Sequence, residues 1–270
     1  MKQANTQAKL GGIKFKWKDS SLPWIIPLCL LILWQLLGMA GKLEALLLPT
    51  PLEVVLALFT VVGDGTLFEY TWVSAQRAFA GFLIGGSLAF LLGLLNGIVP
   101  VSEKLTDTTV QMIRTIPHLA LVPLVILWFG IGESSKLFLV SLGVFFPIYL
   151  NTFHGIRSVD PGLIEMGKVY GLKGFSLFAK VILPGALSNI LLGVRFSLGI
   201  MWITLIVAET ISADSGIGYM ATHAREFMHM DIVVLCVLLY AVLGKLSDMA
   251  AKRLESRWLT WHHSYLSKQG

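Results

Sequence analysis

The stretch Gly155-IRSVDPGLIEMGKVYGLKGFSLFAKVIL-Pro184 decides how the rest of the chain is read. It is a polar island between two long apolar runs, carrying Arg157, Asp160, Glu165, Lys168, Lys173 and Lys180. Asp160 before Pro161 is a helix start, because the carboxylate accepts from free backbone N–H groups and proline suits the first helical position. Gly171 and Gly174 punctuate the pattern, and a glycine just past a helix end takes the left-handed conformation other residues resist. A second short helix is expected to run to about Leu183, with Pro184 opening the next apolar run. The island therefore reads as a rigid helix–turn–helix outside the apolar body of the protein, shaped for docking.

Composition says what that body is. Of 270 residues, 55% are hydrophobic and 14% charged, against about 25% charged in soluble domains. The apolar residues gather into runs near the length that crosses a hydrocarbon core of about 30 Å. The fold class is thus all-α, a polytopic membrane bundle with six transmembrane helices. Cys29 and Cys236 lie inside apolar runs and act as small hydrophobes, not as a disulfide or metal framework. The net charge of +5 is not a nucleic-acid footprint.

Three parts follow: a basic arm over 1–21, a six-span domain over 22–250 containing the 155–184 loop, and a basic tail over 251–270. Spans are expected at about Leu22–Ala40, Ala78–Val99, the proline-interrupted stretch after Pro117, Leu137–Phe153 bent near Pro147, Ala186–Ile211 and Ile232–Ala250. Thr50-Pro51-Leu52-Glu53 and Thr66-Leu67-Phe68-Glu69 read as capping boxes. Gly81, Gly85, Gly86, Gly93 and Gly97 give the second span two Gly-x-x-x-Gly spacings, suited to a dimer face or to close packing within the subunit. Residues 101–116 are amphipathic.

Charge orients the chain. The arm, 101–116, the island and the tail from Lys245 hold 16 of the 21 Lys and Arg residues. The positive-inside rule places both termini and the island in the cytoplasm. Lys42, Arg77, Lys136 and Arg225 fall to the other loops on this reading, and Arg195 lies inside the fifth span.

No catalytic constellation appears. Gly130-Ile131-Gly132-Glu133-Ser134-Ser135-Lys136 lacks the glycine before lysine and the preceding strand of a phosphate loop, and the six histidines show no metal-ligand spacing. The chain reads as a non-enzyme that binds no cofactor. Within the fifth span Ser188, Arg195, Trp202 and Glu209 recur every seven residues and form one stripe. An embedded arginine faces a cavity or a partner. Arg195 is a candidate for attracting anions on a pathway or for a structural bond to a neighbouring helix, and Glu209 for holding the outer end.

The spacing Glu165-Met166-Gly167-x-x-x-Gly171, nine residues, then Val181-x-Leu183-Pro184 resembles the "EAA" loop of ABC importer permeases. Met166 and Gly167 stand in place of two alanines, and Val181 in place of isoleucine. With Ile116-Pro117-His118-Leu119-Ala120-Leu121-Val122-Pro123, Leu127-Trp128-Phe129-Gly130-Ile131-Gly132-Glu133, Phe145-Phe146-Pro147-Ile148 and Ala208-Glu209-Thr210-Ile211-Ser212-Ala213, the chain after its first twenty residues is similar to permeases of aliphatic sulfonate importers. That resemblance implies a type I importer fold in the bacterial inner membrane and a homodimer. It also implies two cytoplasmic ABC ATPases that use ATP and Mg and dock on the 155–184 loops, and an external binding protein that delivers the sulfonate. A permease for a related small anion such as taurine or nitrate, and an ion-coupled secondary transporter, are the other readings. The last expects midplane acids and internal repeats; no repeat is seen.

Overall fold

The computed structural model describes residues 22–42 and 47–259. The arm over 1–21 and the tail beyond 259 lie outside the described residues. α1 (Leu22–Met39) is followed by α2 (Pro51–Gly63), and the box expected at the head of α2 forms. Thr50 Oγ1 accepts from the Glu53 amide at 3.3 Å, and Glu53 Oε2 accepts from the Thr50 amide at 2.6 Å. The second expected box does not form. Gly65, at φ +75°, caps α3 (Thr66–Ile98), and the Thr66 hydroxyl donates backward to Val61 O at 3.3 Å. A left-handed glycine has already turned the chain there, so no side-chain cap is needed.

The centre is a three-helix layer in which α6 (Glu133–Arg157) packs extensively on both α3 and α9 (Leu183–Ser212). The glycines of α3 face α6 within the subunit. A Cβ on Gly81 would meet Val140, one on Gly93 would meet Thr152, and one on Gly97 would meet Ile156. The close-packing reading of the Gly-x-x-x-Gly spacings is the one the structure shows. These contacts advance along both helices together, so α3 and α6 run parallel. Gly143 meets Thr204, Gly155 meets Asn189 and Gly193 meets Asn151, so α6 and α9 run antiparallel.

Parallel neighbours require a crossing between them. α4 (Pro100–Arg114) stays at the island end, held by side-chain bonds. Asn96 Nδ2 donates to Thr106 Oγ1 at 2.8 Å and to Tyr149 Oη at 2.7 Å, Tyr149 donates to Asp107 at 2.8 Å, and Arg157 pairs with Glu103. The return is a 3₁₀ turn over His118–Leu121 and the eight-residue α5 (Val122–Phe129). Proline cannot donate to a helical ladder, and Pro117 and Pro123 keep this segment from being one helix. It is covered by Leu139 and Ala208, as non-helical backbone at membrane depth requires. Among the described residues α3, α6, α11 (Met230–Trp258) and the run Gly174–Ile211 are long and apolar enough to cross a membrane alone. The apolar stretch of α1, Trp24–Met39, and the eight-residue α5 are shorter than these four.

Two boundaries differ from the expectation. α8 (Gly174–Leu177) passes through a π-helical turn, Phe178–Ile182, straight into α9. Pro184 does not break the helix: it sits in the first turn of α9, and the wider turn before it shifts the ladder so that Leu183 N bonds to Phe178 O. Likewise α11 runs past Ala250 to Trp258, so the first residues of the basic tail continue the sixth span.

Candidate functional site

The island is built as two helices clamped by their turn. Asp160 Oδ1 accepts from the Gly162 amide at 2.8 Å and opens α7 (Pro161–Val169). Gly171 closes it at φ +82°. Leu172 N donates to Gly167 O and Gly171 N to Lys168 O, both at 3.0 Å, the paired bonds that satisfy the last carbonyls of a helix. Gly167 is buried, and a Cβ there would lie 2.8 Å from Leu177 Cδ1 and 3.1 Å from Val181 Cγ2. Its lack of a side chain seats α7 on the base of the α8–α9 rod, which offsets a helix-propensity cost of about 1 kcal/mol.

That seating leaves an apolar outer face. Tyr170 is 79% and Phe175 82% exposed, with Met166 and Val169 also open. Glu165 is exposed and forms no ion pair among the described residues. Met166, Val181 and Pro184 from the matched motif meet Ser188 in one groove of about 410 Å³ between α7 and α9, rimmed by Lys180. Leu183 lies partly buried under α7, against Ile156 and Val159.

The seven-residue stripe on α9 exists, but its upper three members face α11. Arg195 Nε donates to Asp248 Oδ1 at 2.6 Å, Trp202 Nε1 to Ser247 Oγ at 2.9 Å, and Glu209 Oε2 accepts from Tyr240 Oη at 2.9 Å. Trp202 and Glu209 are buried in this helix–helix seam and line no open surface of the subunit. Arg195 keeps 32% of its side chain exposed, and Lys245 and Lys252 also lie within 4.0 Å of Asp248, leaving three cations to one anion.

At the end of the bundle opposite the island, Glu209 anchors a second feature. Its carboxylate accepts from Ser74, from Arg77 Nη1 at 3.0 Å, from Gly218 N at 2.9 Å and from Tyr240. Arg77 also donates to Glu133 (2.8 and 2.5 Å), to Ser215 O at 2.5 Å and to Ser215 Oγ at 2.9 Å. Lys136, almost wholly buried, donates to Glu133 at 2.8 Å. Four charges of balanced sign thus tie α3, α6, α9, α11 and α10 (Ile217–Glu226) together. Arg77 and Lys136 are not loop residues as expected. Both are buried in helices. Both Glu209 carboxylate oxygens accept hydrogen bonds within this network, and the side chain is buried. No group of three or more His, Cys, Asp or Glu side chains placed to hold a metal occurs among the described residues.

A bundle of long apolar helices with a stiff two-helix island joined to one of them is the architecture of a membrane transport subunit. The chain belongs to the family of binding-protein-dependent transport system inner membrane components, which it matches over residues 81–260. It is 54% identical over 254 residues to the putative aliphatic sulfonates transport permease protein SsuC of Escherichia coli K12, covering 94% of this chain and 97% of that one. Identity to the Bacillus subtilis protein of the same name is 44%, covering 95% and 92%. Identity to the taurine transport system permease protein TauC of E. coli is 32%, covering 86% of each. An amino acid ABC transporter crystallised with histidines shares the fold at a TM-score of 0.61 with 16% identity, covering 74% of this chain and 97% of that one. The methionine transporter MetNI in an inward-facing form shares it at 0.54 with 19% identity, covering 72% and 95%.

Proposed function

We propose that this chain is the membrane-spanning subunit of an ATP-driven importer of aliphatic sulfonates, acting as a homodimer with two cytoplasmic ABC ATPases and an external binding protein. The observation that carries the mechanism is the island. Exposed Met166, Val169, Tyr170 and Phe175 form a patch suited to a protein partner, and that patch is rigidly coupled to a spanning helix. α7 rests on Gly167, and α8 continues without a break into α9. Displacing the patch therefore tilts α9 as a lever, a rigid-body transmission from ATPase closure to the pathway. Sequence identity to the two SsuC proteins supports a sulfonate as the cargo. Reconstitution with the ATPase in liposomes tests the whole reading: sulfonate-loaded binding protein should stimulate ATP hydrolysis and uptake. Uptake by this chain alone, without ATP, would overturn it.

The turn offers a sharper test. Gly171→Val forces a β-branched residue to φ +82°, a strain of about 1–2 kcal/mol. This variant should insert normally yet lose ATP-driven uptake, and Glu165→Lys should do the same by reversing a charge on the docking face. Gly171→Asn, which tolerates the left-handed region, should keep most activity. Full uptake with valine in place would mean the turn transmits nothing.

Of the stripe, Arg195 retains a pathway role in this reading. A permanent anion leaving water needs donors or positive charge, and Arg195, Lys245 and Lys252 outnumber Asp248 on a partly open face. Arg195→Gln should slow sulfonate uptake several-fold while binding-protein-stimulated ATP hydrolysis persists. Undiminished uptake would remove the role; loss of the folded dimer would assign Arg195 to the seam alone.

A further inference from the structure

We propose that the island end of the bundle holds a site for a phospholipid with an anionic headgroup. An apolar groove of about 480 Å³ opens on the outer surface there, lined by Ser87 and Phe90 of α3, Leu187 and Leu191 of α9, and Leu254 and Trp258 of α11. Its wall on α9 runs from Leu183 to Val194. Eleven residues at helical rise cover about 16 Å, close to one leaflet of a hydrocarbon core of about 30 Å. The groove thus matches an acyl chain in length as well as in polarity.

Its mouth has the opposite character. Leu254 is shared with a second hollow on α11, lined also by Arg253, Ser256 and Arg257. Arg253 and Arg257 are exposed and form no ion pair among the described residues. They stand one turn apart, so both guanidinium groups reach the same headgroup, in the bidentate manner that suits phosphate oxygens. Glu255 is the acid on this stretch, and with Lys252 paired to Asp248 at 3.1 Å the local balance is two cations to one anion. Trp258, half exposed, lines the groove, and tryptophan is the side chain expected where hydrocarbon meets headgroups. The apolar slot and the paired arginines adjoin at Leu254, as tail and phosphate regions adjoin in a lipid. A second copy of this chain would have to bury both unpaired arginines to cover the groove, which is unfavourable without acids to meet them.

The site rests on the transport reading only in assigning the cytoplasmic leaflet; binding itself is measured without transport. In native mass spectrometry of the full-length protein in detergent, titrated with dioleoyl phosphatidylglycerol or phosphatidylethanolamine, the anionic lipid should be retained on the order of tenfold better. Arg253→Gln with Arg257→Gln should abolish that preference and leave the weaker binding. Ser87→Phe, which fills the slot from an exposed position, should reduce retention of both lipids. Equal retention by the wild type, or a preference surviving the double substitution, overturns the proposal. Displacement of the lipid by 1-octanesulfonate would make the groove a cargo site instead. Cross-linking between copies carrying Leu83→Cys, on the α3 wall of the groove, in a Cys29→Ser background would make it a subunit interface.

Discussion

Arg77→Gln is expected to lower folding stability by about 3–5 kcal/mol, the size of effect seen when one partner of a buried ion pair is removed. All the donor directions of this guanidinium are used: Glu133 takes Nε and Nη2, Glu209 and Ser215 O take Nη1, and Ser215 Oγ takes Nη2. Glutamine is too short to span these acceptors and carries no charge. Glu209 would then be a buried carboxylate held by Ser74, Gly218 N and Tyr240 without a cation. The loop carrying Ser215 would lose its tie to α3. Heating the detergent-solubilised protein and following the monodisperse fraction by size exclusion measures the effect. Glu209→Gln in the Arg77→Gln background should recover part of the loss, since residues of one network couple by about 0.5–3 kcal/mol. Strict additivity of the two substitutions would show that the pair does not interact.

The same network explains what was and was not legible beforehand. Local features carry their own signals, and Thr50 with Glu53, Asp160 before Pro161 and the left-handed Gly171 all stand where the residues indicate. Arg77 did not, because a charge near the head of an apolar run is ordinarily the end of a span. Here α3 has 33 residues, about 50 Å, so its first turns carry an arginine while the helix continues. Its acids lie 56 and 132 positions away, and no spacing rule reaches that far. Periodicity found the stripe of Arg195, Trp202 and Glu209, yet a period identifies a face without saying what it meets. Asp248, Ser247 and Tyr240 answer that from α11. Only the Tyr240 side chain lies in the purely apolar part of its helix, so the matching stripe on α11 was hidden by its own short polar residues. Pro184 reads as a boundary because a π-helical turn, which lets the chain pass it, has no sequence signature of comparable strength.

The second large effect concerns Gly85. A Cβ at this position would lie 2.2 Å from the carbonyl oxygen of Ser141 and 2.6 Å from its Cα. Both are backbone atoms, so no rotamer change relieves the contact. α3 and α6 must separate, and with them the bond from Ser141 Oγ to Gly81 O at 3.0 Å. Even Gly85→Ala should therefore cost about 1–3 kcal/mol as an overpacked site, and Gly85→Leu should prevent the three-helix layer from closing. Gly199 of α9 is the control, since nothing lies within 4 Å of a Cβ built there. Gly199→Ala should be neutral or should stabilise the subunit by up to about 1 kcal/mol through helix propensity. The comparison also separates the two readings of a small-residue spacing. Glycines that seat a second copy would, on substitution, lower the dimer fraction on dilution and leave the melting of the separated subunit unchanged. Glycines that seat α6 lower the melting of the subunit at every dilution, and that is the outcome expected for Gly85, because the atoms it would strike belong to its own chain.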